Sequence, residues 1–380
     1  MALGIIGLPN VGKSTLFNAL LGRELAQVAE HPFTTIDKNT GVVSVPDYRL
    51  NRLKTIAAEL AKIEPQKVVV APTAIKLVDI AGLVKGAHQG EGLGNEFLGH
   101  IREVDALVHV LRNFDGGVYH VMGGTDLLRD LEIVEIELIL KDLEALEKLQ
   151  NSKTPKLQLS QKLKIKNEKL RLKNLINKIK TGLDKEIMVK DQKLSEKEKE
   201  EIKELFLLTD KPVLYVVNVA EDQLTVHGGK AAITDQNLVK KLKEKLGDFL
   251  VISAKLESEL HDLSPDEAKE YLDDFGVKKS SLDQIVVEGY KILNLLTFYT
   301  IAKGKKVNAW SLEKGKTALE AAGTVHTDFA RGFIKAEVIS YQELAKIGSW
   351  SKAGTMGKVK MVGKEYLIKN NDIIEFKFSI

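Results

Sequence analysis

Gly7-Leu8-Pro9-Asn10-Val11-Gly12-Lys13-Ser14-Thr15 has the spacing G-x-x-x-x-G-K-[ST]. Glycines at those places let backbone N–H groups wrap a chain of phosphates, and a helix starting there adds its favourable dipole. Lys13 is then expected to reach the β- and γ-phosphates and the Ser14 hydroxyl to coordinate Mg²⁺. Average residue frequencies give a chance match in roughly one chain of this length in a hundred. Placement between a strand pattern and a helix pattern lowers that further.

Further residues follow in the order a nucleotide switch needs. Phe33-Thr34-Thr35 lies in a loop-like stretch, where Thr35 could complete the Mg²⁺ shell and sense the γ-phosphate. Asp79-Ile80-Ala81-Gly82 ends a strand pattern. Asp79 is expected to bind Mg²⁺ through water, and Gly82 to offer its N–H to the γ-phosphate. Leu83 stands where Ras-type switches place a water-orienting glutamine. A leucine cannot hydrogen-bond water, so hydrolysis needs another group or is slow. The stretch Val84–Gly94 holds four glycines, suited to order and disorder with nucleotide state. His120 could hydrogen-bond the attacking water, although an isolated histidine is more often structural.

Base selection is the most discriminating feature. A GTPase presents N-K-x-D after its fifth strand, the aspartate pairing with two guanine N–H groups. Here the strand Val213–Val217 ends in Asn218-Val219-Ala220-Glu221. The lysine is missing and glutamate replaces aspartate, which removes a charge-assisted double hydrogen bond and favours adenine. Ser253-Ala254-Lys255 follows the next strand as the base-side loop.

Short β-branched runs position these residues: Leu3–Ile6, Val42–Val45, Ile75–Asp79, Leu107–Leu111, Val213–Val217 and Phe249–Ile252. Helical patterns such as Ser14–Leu21 and Gln236–Leu246 lie between several of them, so the fold class is α/β with a mostly parallel sheet. Two of the strands come after a helical stretch, which makes the sheet domain discontinuous. That stretch comprises Leu131 to about Leu149, roughly Leu157–Ile179, and a run from Ser195 to Leu208 opened by a Ser195/Glu198 capping box. Ser264-Pro265-Asp266-Glu267 is another helix start. After Leu296, glycines and the alternating segments Phe333–Ile339, Lys358–Val362 and Ile373–Phe378 indicate a small mixed-sheet domain. The expected domains are 1–130 with 207–296, 131–206, and 297–380.

The 380 residues are 44% hydrophobic with no cysteine, which excludes a disulfide scaffold, a thiolate zinc site and a cysteine nucleophile. No run approaches a membrane span and no export signal is read at the N-terminus, so a cytoplasmic protein is expected, without membrane or DNA partners. The net charge of +3 conceals a division. Residues 1–150 carry 15 Lys and Arg against 20 Asp and Glu, and residues 205–296 carry 11 against 16. Residues 151–204 carry 16 against 9, and residues 297–380 carry 14 against 8. An acidic body with basic appendages is the pattern expected when appendages meet a polyanion.

The loop Gly7–Thr15, Asp79–Gly82, the run Gly90-Glu91-Gly92-Leu93-Gly94-Asn95 and Asn218–Glu221 together resemble the YchF-type, Obg-like ATPase family. His326-Thr327-Asp328-Phe329 followed by Gly332-Phe333-Ile334 resembles that family's TGS domain. The resemblance covers nearly the whole chain. It implies a P-loop G-domain, an inserted helical coiled coil and a ubiquitin-like TGS domain. It also implies that Asn10, Val11, Gly12, Lys13, Ser14 and Thr15 bind ATP phosphates and that Ser14 and Thr35 bind Mg²⁺. Asn218 and Val219 are expected among the nucleotide contacts, Val219 touching adenine through its backbone, and His120 would assist hydrolysis. The expected function is a slow Mg²⁺-dependent ATPase switch acting on the ribosome or ribosomal RNA. Alternatives are a ribosome- or RNA-binding adaptor with a structural nucleotide, an Obg-type GTPase and, more distantly, a metabolic P-loop kinase.

Overall fold

A computed structural model describes residues 1–27, 39–80, 93–114, 126–151, 166–227, 230–261, 263, 267, 270, 280–302 and 305–379. The chain divides into two compact units, 1–41 with 76–282, and 42–75 with 283–380.

The first unit is built on a sheet of order β4-β1-β5-β6-β9. Its strands are β1 (Ala2–Ile6), β4 (Ala74–Asp79), β5 (Ala106–Asn113), β6 (Val213–Val219) and β9 (Phe249–Ile252), and the chain passes into the second unit's segment within β2 (Thr40–Ser44). Strand β1 pairs in parallel with β4 and β5, β5 with β6, and β6 with β9. Strands buried on both faces read as unbroken apolar runs, and β1 and β5 do. One face is covered by Leu127 and Leu131 of α4 (Leu127–Asn151) and Leu242 of α7 (Gln236–Leu246), packed on Leu111, Tyr215 and Val217. α1 (Lys13–Gln27) packs against α8 (Ala254–His261), and α3 (Leu93–Glu103) packs on β1. A short hairpin, β7 (Leu224–His227) and β8 (Lys230–Ile233), follows β6.

A helical layer grows out of this unit. α4 runs unbroken across the expected domain boundary and buries Ile139 and Leu146. Against them lie Leu175, Ile176 and Ile179 of α5 (Lys166–Leu183) and Ile202 of α6 (Glu196–Ile202). The Ser195/Glu198 capping box is present, but α6 ends at Ile202, short of the expected Leu208, and gives way to tight 3-10 turns. Asp142 joins layer and sheet. Buried on α4, it accepts from Leu208 N (2.9 Å), Thr209 N (2.9 Å) and Thr209 Oγ1 (2.7 Å) just before β6.

The second unit carries a mixed sheet of order β13-β12-β14-β10-β11-β3. Its strands are β3 (Val69–Ala71), β10 (Leu295–Ala302), β11 (Lys306–Glu313), β12 (Phe333–Ser340), β13 (Lys360–Val362) and β14 (Asp372–Phe378). Side chains alternate between two cores, as a period of two requires. Tyr299, Ile339 and Ile373 face Leu53 and Ile56 of α2 (Arg49–Ala61). Phe298, Val338 and Ile374 face Ala318, Ala321 and Ala322 of α10 (Ala318–Val325), which follows α9 (Ser281–Ile292). Short helices α11 (Thr327–Arg331), α12 (Tyr341–Ile347) and α13 (Trp350–Thr355) complete the unit.

This division differs from the expected boundary at 297. Segment 42–75 joins the second unit because α2 covers one face of its sheet and β3 extends that sheet, Val69, Val70 and Ala71 pairing with Lys306, Val307 and Asn308. Among the described residues no helix is long and apolar enough to cross a membrane.

Removing the Asp142 carboxylate strands three donors in a dry site. D142A is expected to lower stability by about 3 kcal/mol and T209V by about 1 kcal/mol. Urea unfolding of the two variants checks the ranking.

Candidate nucleotide site

The site forms at the carboxyl ends of β1, β5, β6 and β9. Gly7 (φ +150°) and Gly12 (φ +95°) take backbone conformations that side chains rarely adopt. A Cβ on Gly7 would sit 2.5 Å from the Val110 carbonyl, and one on Gly12 would sit 2.3 Å from Asn218 Nδ2. These glycines let the loop lie flat on the strands beneath it. Asn10 (φ +61°) makes the turn at its tip.

Lys13, 7% exposed, donates from Nζ to the Leu8 carbonyl at 2.8 Å. Burial pulls its ammonium down to about 8, against the opposing charge of Asp79. Ser14 and Asp79, 65 residues apart, meet: Ser14 Oγ donates to Asp79 Oδ2 at 2.9 Å. Asp79 Oδ1 is buried without a hydrogen-bond partner. Burial pushes the Asp79 carboxyl up, partly offset by Ser14 and Lys13. A hydroxyl and a carboxylate with one free oxygen fit a hard cation that prefers oxygen and completes its shell from water and phosphate. Among the described residues no group of three His, Cys, Asp or Glu offers a ready-made cage.

Asn218 borders the site with both ends of its amide already engaged. Its Nδ2 donates to the Val11 carbonyl (3.0 Å) and its Oδ1 accepts from Ala254 N (2.9 Å). Expected among the nucleotide contacts, it is also the clamp between the phosphate loop and the base-side loop. Beside it opens a cavity of about 510 Å³ bordered by Gly12, Thr15, Phe114, Val219, Glu221 and Lys255. Glu221 pairs with Lys255 at 3.4 Å, and Lys255 also reaches Glu259 at 3.6 Å.

Thr35, Gly82, Leu83 and His120 lie outside the described residues. Two groups carried no motif signal. His109, in register with Ile6 and Tyr215, is pushed down to about 3, by burial first and then by the Lys13 charge, so its imidazole stays neutral. Phe114, just past β5, lines the cavity; its only sequence cue is its place at the end of a buried strand.

Residues 2–162 match the family model described as 50S ribosome-binding GTPase. Residues 295–379 match the YchF GTPase C-terminal model, described as a protein of unknown function (DUF933). The chain is 41% identical to the ribosome-binding ATPase YchF of Bacillus subtilis (strain 168) across the full length of both. The chain belongs to the YchF family. It is also 40% identical to the ribosome-binding ATPase YchF of Escherichia coli O157:H7, over 99% of each chain. The structure of the Schizosaccharomyces pombe YchF GTPase superposes with a TM-score of 0.82 at 35% identity, covering 99% of this chain and 97% of that one. The bacterial YchF proteins are thus named ATPases and the yeast one a GTPase.

N218A removes both ends of the clamp and is expected to cost about 2–3 kcal/mol of stability. Because both loops then shift, calorimetry should record parallel losses for ATP and for inorganic tripolyphosphate. A loss confined to ATP would instead make Asn218 a base contact.

The Lys13 shift has two consequences of opposite sign. In the free protein its folded pKa, about 8, lies below the ordinary 10.5. The unfolded chain therefore binds more protons between those values, and this group's contribution to stability rises with pH there. Phosphate affinity falls over the same interval as the ammonium discharges. Both trends should be missing from K13M in melting and ATP-binding profiles from pH 7 to 10.

Proposed function

We propose that this chain is a ribosome-binding ATPase that hydrolyses ATP to ADP and phosphate and uses loss of the γ-phosphate as a slow switch. Its adenine preference rests on the Glu221 position. An aspartate there would present two oxygens to guanine. Glu221 is one methylene longer and paired with Lys255, and Val219 stands where the lysine of N-K-x-D would be. With Asn218 committed to Val11 and Ala254, these side chains leave no preorganised acceptor for both guanine N–H groups. The Val219 backbone is then the adenine contact, with Phe114 as the apolar wall.

The residues divide the chemistry. Backbone N–H groups of Asn10–Thr15 cradle the phosphates, and the Lys13 ammonium stabilises charge developing on the β–γ bridge. Ser14 and Asp79, with Thr35 as a third candidate, would hold Mg²⁺, which neutralises phosphate charge when bound. His120 orients the attacking water while Leu83 offers it no hydrogen bond, which accounts for a low intrinsic rate. Gly82 reads the γ-phosphate through its N–H. Ribosome docking is assigned to a coiled-coil insertion at 131–206 and a TGS domain at 297–380, on the strength of the basic excess in 151–204 and 297–380. The relatives' names, ribosome-binding ATPase YchF, support ribosome binding itself.

The test measures binding of Mg·ATP and Mg·GTP by calorimetry and co-sedimentation with ribosomes in ATP, ADP or neither. ATP is expected to bind at least about tenfold more tightly, a difference of about 1.4 kcal/mol, and ribosome association is expected to follow nucleotide state. A marked GTP preference overturns the adenine assignment. Binding that ignores nucleotide favours the adaptor.

A further inference from the structure

Arg112 closes β5 in register with Asn218 and is only 2% exposed. Its Nη1 has no hydrogen-bond partner, and no described carboxylate pairs with it. Burying a guanidinium is costly, so the contacts that hold it bear on its role. Those it makes among the described residues lead to one residue. Arg112 Nε donates to the Phe114 carbonyl at 2.8 Å, and its guanidinium carbon lies 4.7 Å from the centre of the Phe114 ring. The first contact fixes the Phe114 backbone and the second fixes the ring, through attraction of a cation to an aromatic face in a desolvated place. Phe114 borders the base-side cavity, whereas Arg112 is not part of its lining. The guanidinium therefore acts on the cavity through the ring.

We propose that Arg112 is a positioning residue that sets Phe114 as the stacking platform for the purine base. The proposal rests on the reading of this cavity as an adenine site and adds the residue that shapes its wall. A methionine in its place would fill much of the same volume yet supply neither the carbonyl bond nor the cation. The role thereby separates from mere core filling, and it concerns the base and not the phosphates.

The full-length protein, R112M, R112K, F114A and R112M/F114A are titrated with Mg·ATP and with inorganic tripolyphosphate, which carries phosphates without a base. R112M is expected to weaken ATP about tenfold, equivalent to about 1.4 kcal/mol, and to leave tripolyphosphate within about twofold. R112K, which keeps the charge but not the planar fork, should fall between. The double variant should bind ATP no more weakly than F114A, because Arg112 works only through the ring. Unchanged ATP affinity in R112M overturns the proposal. Equal losses for ATP and tripolyphosphate, or fully additive losses in the double variant, overturn it as well. If R112M does not fold, R112K carries the same comparison. Failure of the wild-type protein to bind ATP overturns the ATPase reading itself and is seen without any variant.

Discussion

The Asn218 amide, 4% exposed, joins the Val11 carbonyl of the phosphate loop to the Ala254 amide of the loop after β9. Three segments separated by up to about 240 residues of chain are held to one geometry by two buried hydrogen bonds, each expensive to leave half-made. The contact also dictates glycine at position 12, where any side chain would collide with Nδ2. The phosphate end and the base end of the site consequently form one construction. Asparagine suits it because a single side chain must donate in one direction and accept in the other.

Around that clamp, charge is arranged by burial. Lys13 and His109 lie within the dry end of the sheet with Asp79 half-buried beside them, and desolvation is the leading influence on each. The effect is to hold the histidine neutral, to loosen the proton on the lysine and to leave one Asp79 oxygen unengaged. Such a site favours the arrival of a phosphate anion with a divalent cation, since both restore what burial took away. Arg112 belongs to the same dry end but turns towards Phe114, so its positive charge serves the wall of the base cavity.

The second unit shows a different constraint. A mixed sheet with apolar side chains on both faces needs two covers, and residues after 283 supply α10 for one of them. Leu50, Leu53, Ile56 and Ala57 of α2 help to supply the other from a position more than 220 residues earlier in the chain. The Asp47 carboxylate strengthens that association by accepting from Arg49 and from the Tyr299 hydroxyl.

By itself the sequence determined the phosphate loop, the strands Leu3–Ile6, Ile75–Asp79 and Val213–Val217, and the departure from N-K-x-D. Each rests on local physics: a glycine spacing, a buried apolar run, one missing charge. The Ser195 cap and the helix of α4 were legible for the same reason. Tertiary structure decided what depends on partners distant in the chain. That Asn218 also ties Val11 to Ala254 was not legible, because those partners lie 207 and 36 residues away in the chain. Arg112 and Phe114 carried no spacing to mark them, because a cation and a ring gain meaning only when a fold stacks them beside a cavity. Segment 42–75 read as part of the first domain, since a short amphipathic helix does not state which sheet it will cover. Pattern reports which face of an element is apolar; only the folded chain selects the surface that buries it.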